Sequence, residues 1–270
     1  RAEGKLNNLV AELAANPAPG DMGIAHTRWA THGAPTAQNA HPHATDRVAL
    51  VHNGIIENFK ELRAELQADG RTLESDTDSE VVVHLVSREI ENGSSPREAV
   101  AQVLPRLRGA FALAIAFRDH PGMLIGARRG SPLVVGYGDG ETYIGSDALA
   151  LAPLTQQISY LEEGDWVVVT REAAEIHDAE NQPVEREIQT SGASAAAVEK
   201  GNYRHFMQKE IFEQPTVVAQ TLGSYLRQSD NSVALPQFDF DLSQIKRVTI
   251  VACGTSFYAG MVAKYWFEQF

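Results

Sequence analysis

Residues 26–78 hold most of the polar chemistry of this chain, and they limit what it can fold into more than any other stretch. They contain five of the nine histidines, the pair Arg28-Trp29, the pair Asn53-Gly54 and a cluster of carboxylates. Such side chains need polar partners or a ligand when folding removes them from water. The stretch therefore predicts a pocket for a small zwitterion, with a corner that stabilises an oxyanion.

Composition excludes several classes of function. The 270 residues carry a formal net charge of −12, which argues against nucleic-acid binding because phosphates are neutralised by clustered Lys and Arg. No run of about 18 apolar residues predicts a membrane span. The single cysteine, Cys253, cannot form an internal disulfide and fits a reducing compartment, so we expect a cytoplasmic protein.

Apolar periodicity predicts helices early in residues 1–189 and many short strands later. This order favours an α+β fold in which helices pack on antiparallel sheets. The predicted helices are 5–13, 58–70, 81–90 and 95–104, the last opened by a capping box. The predicted strands are 23–31, 47–52, 110–117, 123–127, 133–136, 143–145, 158–161, 166–170 and 175–177.

Small residues dominate 190–197, which indicates a linker, so we expect one domain at 1–189, a linker at 190–202 and a second domain at 203–270. In that second domain, a strand, a Gly-containing turn and a helix form the predicted opening of a βαβ unit. The predicted elements are helices at 204–212 and 215–226, a strand at 247–252, a tight turn at 253–256 and a helix at 257–267.

The Asn53-Gly54 pair has two interpretations. Asn-Gly suits a hairpin turn, because both residues tolerate positive φ. However, the residues that follow lead into a predicted helix and not into a returning strand. A strand that ends before Gly54 leaves its N–H free, and the Asn53 amide adds a second donor. Two converging donors suit the tetrahedral oxyanion of acyl transfer.

Arg28 and Asp78 complement each other. A guanidinium fork can hold a carboxylate through two hydrogen bonds, and a carboxylate can accept an ammonium group. The simpler interpretation makes Arg28 a surface residue beside a half-buried Trp29, and Asp78 a helix cap. Taken together, a cation and an anion of this kind describe a site for an α-amino acid.

The histidines could instead bind zinc, which takes three or four nitrogen, sulfur or oxygen ligands. No two of them in this stretch have the i, i+4 spacing of the zinc-protease motif. We therefore expect most of them to form hydrogen bonds in the core, and we predict neither a metal nor another cofactor.

Several long motifs resemble the class II glutamine amidotransferase domain. They are 26–33 (HTRWATHG), 39–43 (NAHPH), 51–58 (VHNGIIEN) and 75–80 (SDTDSE), with further likeness at 128–133, 161–165, 203–211 and 252–256. The resemblance implies the four-layer αββα sandwich of N-terminal-nucleophile hydrolases. It also implies glutamine as nitrogen donor and fructose 6-phosphate as acceptor, in the first step of hexosamine synthesis, and a homodimer.

The resemblance also implies roles for individual residues. Arg28 would bind the glutamine carboxylate and Asp78 its α-amine, while Asn53 and Gly54 would form the oxyanion hole. Three more residues would line the same pocket: Trp29, Thr31 and His32. The Cys253–Ser256 turn resembles the sugar isomerase (SIS) domain, which implies a sugar-phosphate contact through Thr255 and Ser256.

One departure from the family pattern matters for activity. The family nucleophile is an N-terminal cysteine whose own α-amine acts as the base, whereas this chain opens on Arg1. We therefore expect a fragment that does not hydrolyse glutamine by itself. The alternatives are another class II amidotransferase, a catalytically silent amino-acid-binding module, and a zinc hydrolase, which would carry about one metal per chain.

Overall fold

The chain divides into two compact units, residues 1–201 and 202–270. A computed structural model describes residues 1–192, 199–227, 232–234 and 240–269. Residues 193–198 of the predicted linker at 190–202 lie outside these ranges, so the domain boundaries stay a prediction. No helix in the described part of the chain is both long and apolar enough to cross a membrane.

The described residues of unit 1 form five α-helices, one short 3₁₀ helix (Leu104–Arg106) and two antiparallel sheets. The helices are α1 (Leu6–Ala15), α2 (Phe59–Ala68), α3 (Ser79–Glu91), α4 (Pro96–Val103) and α5 (Ala148–Leu151). The strands are β1 (His43–Ala44), β2 (Val48–Ile56), β3 (Gly109–Phe117), β4 (Leu124–Arg129), β5 (Val134–Tyr137), β6 (Thr142–Gly145), β7 (Gln157–Tyr160), β8 (Trp166–Val169), β9 (Ala174–His177), β10 (Pro183–Val184) and β11 (Gln189–Thr190).

The larger sheet has seven strands in the order β1-β2-β3-β4-β8-β9-β10, and the smaller has four in the order β11-β7-β5-β6. The longest pairing joins β2 to β3 and runs without interruption from Val48↔Phe117 to Ile56↔Gly109. β1 pairs only with Ala49 and Leu50, so the second half of β2 is held by β3 on one side and has no described strand on the other.

Three apolar clusters give unit 1 a layered order of helix, sheet, sheet and helix. The first lies between α2, α3 and α4 and one face of the larger sheet, with Leu50, Leu85 and Ile115 fully buried. The second lies between the two sheets, and the third packs α5 against the outer face of the smaller sheet. Burial on this scale stabilises the unit by roughly 25 cal/mol for each Å² of apolar surface removed from water.

Most of the predicted elements of unit 1 are confirmed, and so is the α+β class. The capping box at α4 is present: the Ser95 side chain accepts from the Glu98 N–H, and the Glu98 carboxylate accepts from the Ser95 N–H. The predicted strand at 23–31 is wrong, since no described strand pairs with that segment. Alternation alone does not make a strand, because a strand needs a partner for its ladder.

Unit 2 departs more from prediction. One helix, α6 (Phe206–Tyr225), replaces the two expected helices and runs through Pro215, which removes one hydrogen-bond donor without ending the helix. The predicted strand at 247–252 has no partner strand among the described residues and is not formed. The final helix, α7 (Gly254–Gln269), begins earlier than expected.

Candidate functional site

A cavity of about 280 Å³ lies in unit 1 where a loop faces the second half of β2 and the start of α3. Residues 26–32 form one side, which we call the loop wall, and residues 52–55 with 77–79 form the other, the strand wall. All seven residues that the resemblance assigns to glutamine line this one cavity: Arg28, Trp29, Thr31, His32, Asn53, Gly54 and Asp78.

Asp78 is the most deeply buried of these seven side chains, with 3% of its surface exposed. It occupies the N-cap position of α3 but makes no side-chain cap, so the simpler interpretation as a helix cap is wrong. Its Oδ2 instead accepts the Ile56 N–H at 2.7 Å. Asp78 is thereby tied to the strand that also carries Asn53 and Gly54.

The loop that presents Asp78 is held by a second buried carboxylate. Glu80 accepts the backbone N–H of Glu74 and of Ser75, each at 2.8 Å, while Arg63 donates to the Ser75 and Thr77 carbonyls at 2.8 and 3.0 Å. Burial alone would raise the pKa of Glu80, but hydrogen bonds from His84 and from the 74–75 backbone lower it to about 2. Glu80 therefore stays ionised, and the loop keeps one shape.

Arg28 is engaged differently from the prediction. Its Nη1 donates to the Ala34 carbonyl at 2.7 Å, and its Nη2 donates to the Gly33 carbonyl at 3.1 Å and to the His32 carbonyl. Both terminal nitrogens of the fork therefore hold the backbone of the loop. A ligand carboxylate would have to share or replace these bonds to take the predicted two-bond geometry.

Trp29 is also different from the half-buried aromatic that the simpler interpretation assumed. Its side chain is 90% exposed, although the residue lines the cavity. In the strand wall, by comparison, His52, Thr77, Asp78 and Ser79 are buried, while Asn53, Gly54 and Ile55 are exposed.

Asn53 and Gly54 lie inside β2 and not after its end, so both the hairpin turn and the free strand end are wrong for this pair. Gly54 has a φ of +121°, and a Cβ on it would sit 2.1 Å from the Ala110 carbonyl oxygen of β3. Only glycine fits this position. The same φ lies far from regular strand values, so the backbone of β2 is distorted at the cavity.

Four histidines form a cluster at the cavity: His26, His41 and His52 line it, and His43 packs against His41. The His26 and His41 rings are 4.1 Å apart, and the His41 and His43 rings 4.9 Å apart. His41 Nε2 and His52 Nδ1 both contact the Ser79 hydroxyl, at 3.0 and 2.8 Å.

Burial keeps these histidines neutral. Together with the neighbouring His26 and His43, it lowers the pKa of His41 to about 2. Burial lowers the pKa of His43 to about 4 against the opposing Glu80, and that of His52 to about 4 against the opposing Asp78. Within the described residues, no three or more His, Cys, Asp or Glu side chains are arranged so that they could hold a metal ion.

Sequence reasoning did not assign seven further residues that line the cavity: His26, Thr27, His41, His52, Ile55, Thr77 and Ser79. Each belongs to one of the motifs quoted above, and that was the signal that could have selected them. Thr255 and Ser256 lie in the first turn of α7, in unit 2. A cavity of about 670 Å³ between α7 and residues 245–252 is lined by other residues.

Comparison with known proteins shows which families this chain is similar to. Residues 26–153 match the protein-family model described as a glutamine amidotransferase domain. The whole chain is 71% identical to a glutamine–fructose-6-phosphate aminotransferase [isomerizing] of Zymomonas mobilis and 59% identical to one of Brucella suis, covering 44% of each. A solved glutamine phosphoribosylpyrophosphate amidotransferase from B. subtilis covers 57% of the chain at 24% identity, with a TM-score of 0.47.

The chain thus spans less than half the length of the curated relatives that it matches. Residues 26–153 are similar to glutamine amidotransferase domains, and the chain is similar along its whole length to isomerising glutamine–fructose-6-phosphate aminotransferases.

Proposed function

We propose that unit 1 binds glutamine and, in the full protein, hydrolyses it to supply ammonia for making glucosamine 6-phosphate from fructose 6-phosphate. The observation that carries the proposal is the convergence of the seven predicted residues on one cavity of about 280 Å³. The names of the Zymomonas and Brucella relatives support the choice of substrates.

The two ends of a zwitterion have partners in this cavity. The Asp78 carboxylate is buried and accepts one backbone N–H, so it keeps lone pairs for an α-ammonium group. Arg28 is the cationic lining residue on the opposite wall and would take the α-carboxylate. Thr31, His32 and Trp29 would complete the loop wall around the side chain of glutamine.

The reacting end of glutamine would lie against Asn53 and Gly54. An amide N–H of Asn53 and the backbone N–H of Gly54 would donate to the oxyanion that forms when the amide carbon is attacked. The resemblance implies an N-terminal cysteine as nucleophile, whereas the one cysteine of this sequence, Cys253, is exposed in unit 2. Hydrolysis is therefore proposed for the longer protein.

Three further parts of the proposal concern the fold of unit 1, the role of unit 2 and the assembly of the full protein. The layered order of unit 1 supports membership of the N-terminal-nucleophile hydrolases, with its αββα sandwich. Unit 2 would be the start of a sugar isomerase (SIS) domain in which Thr255 and Ser256, at the beginning of α7, contact the phosphosugar. A helix N-terminus with hydroxyl side chains suits such a ligand. The full protein would act as a homodimer.

The test uses the full protein and the 270-residue chain side by side. We expect Asn53→Ala to lower kcat for glutamate release about 10²- to 10³-fold in the full protein, because one oxyanion donor is lost. The 270-residue chain should bind glutamine in calorimetry without releasing glutamate, since unit 1 contains no cysteine.

Two results would count against the proposal. An unchanged kcat in Asn53→Ala would show that Asn53 does not stabilise an oxyanion. Absence of glutamine binding by the 270-residue chain would show that the cavity is not a glutamine site. If the full protein binds glutamine but never releases glutamate, the cavity belongs to an amino-acid-binding module.

A further inference from the structure

The side-chain amide of Asn53 can serve the oxyanion in only one of its two orientations. Its NH₂ group donates, but its oxygen accepts and would repel a developing negative charge. A flip of the amide exchanges these groups with little change in shape. Something in the site must therefore select the orientation that turns the NH₂ group toward the substrate.

His26 makes the contact that can do so. Its Nε2 lies 2.7 Å from Asn53 Oδ1, and it is the one hydrogen-bond partner of the Asn53 side chain in the described part of the chain. Because the amide oxygen only accepts, the proton of this bond is on His26 Nε2. Burial lowers the pKa of His26, so a neutral ring supplies this single N–H.

His26 is itself fixed from behind, although it lies in no helix or strand. Its ring packs against His41 with centroids 4.1 Å apart, and His41 Nε2 contacts the Ser79 hydroxyl at 3.0 Å. Ser79 is buried at the first turn of α3. The direction of the His26 Nε2–H is therefore set by the core of unit 1.

We propose that His26 is a positioning residue for the oxyanion hole: its Nε2–H binds the Asn53 oxygen and so turns the Asn53 NH₂ group toward the reacting carbonyl. This inference rests on the proposed glutaminase function. It assigns the first residue of the HTRWATHG motif a role that acts through Asn53 and not through contact with glutamine.

The experiment is a double-mutant cycle in the full protein, with glutamate release as the readout. His26→Gln keeps an amide donor of similar reach, while His26→Glu places an acceptor of nearly the same shape opposite Asn53 and should flip the amide. We expect His26→Glu to lower kcat about 10²-fold, close to the loss of one oxyanion donor, and His26→Gln to stay within about tenfold of wild type. KM for glutamine should change less than about threefold in both, because the interaction acts on the transition state.

The cycle separates positioning from a structural role. In the Asn53→Ala background, His26→Glu should cost less than about twofold, because no amide remains to be oriented. An equal loss of kcat in both backgrounds, or a parallel fall in kcat and melting temperature that His26→Gln does not restore, would overturn the inference.

The same data distinguish the inference from the function beneath it. If Asn53→Ala leaves kcat unchanged, the proposed oxyanion hole fails, whatever the His26 variants do. If Asn53→Ala lowers kcat but His26→Glu does not, only the role of His26 fails.

Discussion

The two walls of the cavity differ in secondary structure and in side-chain burial. The strand wall consists of paired backbone in β2 and the start of α3, and its Asp78 side chain is 3% exposed. The loop wall has no helix or strand, and its Trp29 side chain is 90% exposed. Strand pairing fixes the backbone of Asn53 and Gly54, the exposed groups that we propose meet a developing charge. The loop wall depends instead on side-chain-to-backbone bonds such as those of Arg28.

This comparison predicts that substitutions in the strand wall affect stability and chemistry more than substitutions in the loop wall. The largest effect is expected for Gly54→Ala. Its Cβ would lie 2.1 Å from the Ala110 oxygen at a φ of +121°. We expect a loss of about 3–5 kcal/mol in the free energy of unfolding of unit 1, from steric overlap added to backbone strain.

Urea unfolding of Gly54→Ala and Gly93→Ala checks this prediction. Gly93, just after α3, also has a positive φ, of +100°, but a Cβ on it would have no neighbouring atom within 4 Å. Its substitution should cost only the strain, about 1–2 kcal/mol. Equal losses in the two variants would mean that β2 can move away from β3.

Asp78→Asn should have the next largest effect, on affinity and not on folding. The amide oxygen can still accept the Ile56 N–H, but the negative charge that we assign to the α-ammonium group is lost. Losing one partner of a buried charge pair costs about 2–5 kcal/mol, so we expect glutamine to bind at least about 30-fold more weakly.

Calorimetry with glutamine measures the effect of Asp78→Asn, and Asp76→Asn is the matched control. Asp76 carries the same charge two residues away but does not line the cavity. A similar loss of affinity in both variants would show a general effect of negative charge. The Asp78 carboxylate would then have no specific role in binding the α-ammonium group.

Asn39 joins the two walls and tests whether they are independent. It is buried, donates to the Ala34 carbonyl at 3.1 Å in the loop that Arg28 holds, and accepts the Asp76 N–H at 3.0 Å beside Asp78. Asn39→Ala should lower the unfolding free energy by about 1–3 kcal/mol, because it removes these two part-buried hydrogen bonds and leaves the Asp76 N–H without its acceptor. It should also weaken glutamine binding.

The control for Asn39 is Gln38→Ala. Gln38 is exposed, and its side-chain amide donates to the Glu74 carbonyl in the loop that precedes Asp78. Water can replace that bond, so its loss should cost under about 1 kcal/mol. If Asn39→Ala destabilises the unit and yet leaves glutamine affinity unchanged, the link through Asn39 does not determine the geometry of the binding site.

The last effect appears only as the pH falls, and it concerns His43, which packs against His41 of the cavity lining. The pKa of His43 is lowered from 6.5 to about 4, so the unfolded chain takes up a proton before the folded one as pH falls. Stability should therefore fall from about pH 6.5 and the loss from His43 should level off near pH 4, at no more than about 1.4 kcal/mol per pH unit.

Denaturant unfolding across pH 4–8 would detect this as a shallower acid slope in His43→Gln. The new amide side chain can keep the hydrogen bond that His43 makes with the Thr77 hydroxyl, and it does not titrate. His120→Gln, at an exposed position, should keep the wild-type slope. A His43→Gln protein with the full slope would assign the acid loss to other groups, such as His41 and His52.

Local sequence patterns predicted the elements of unit 1 well where the element depends on neighbouring residues alone. The capping box at Ser95 and the glycine after α2 at Gly70 lie where expected, since caps depend on a few neighbouring residues. The prediction failed at 23–31, at 247–252 and at Pro215, where the outcome depends on a partner strand or on the continuation of a helix.

The site shows the same division. Residue type and motif were enough to choose four groups that line the cavity and to which we assign the chemistry, namely Arg28, Asn53, Gly54 and Asp78. How these groups meet became clear from the folded chain: Gly54 lies within β2 against Ala110, Asp78 binds the Ile56 N–H, and His26 reaches Asn53. Each of these contacts joins residues 22 to 56 positions apart, and their geometry comes from strand pairing and burial that local sequence patterns do not encode.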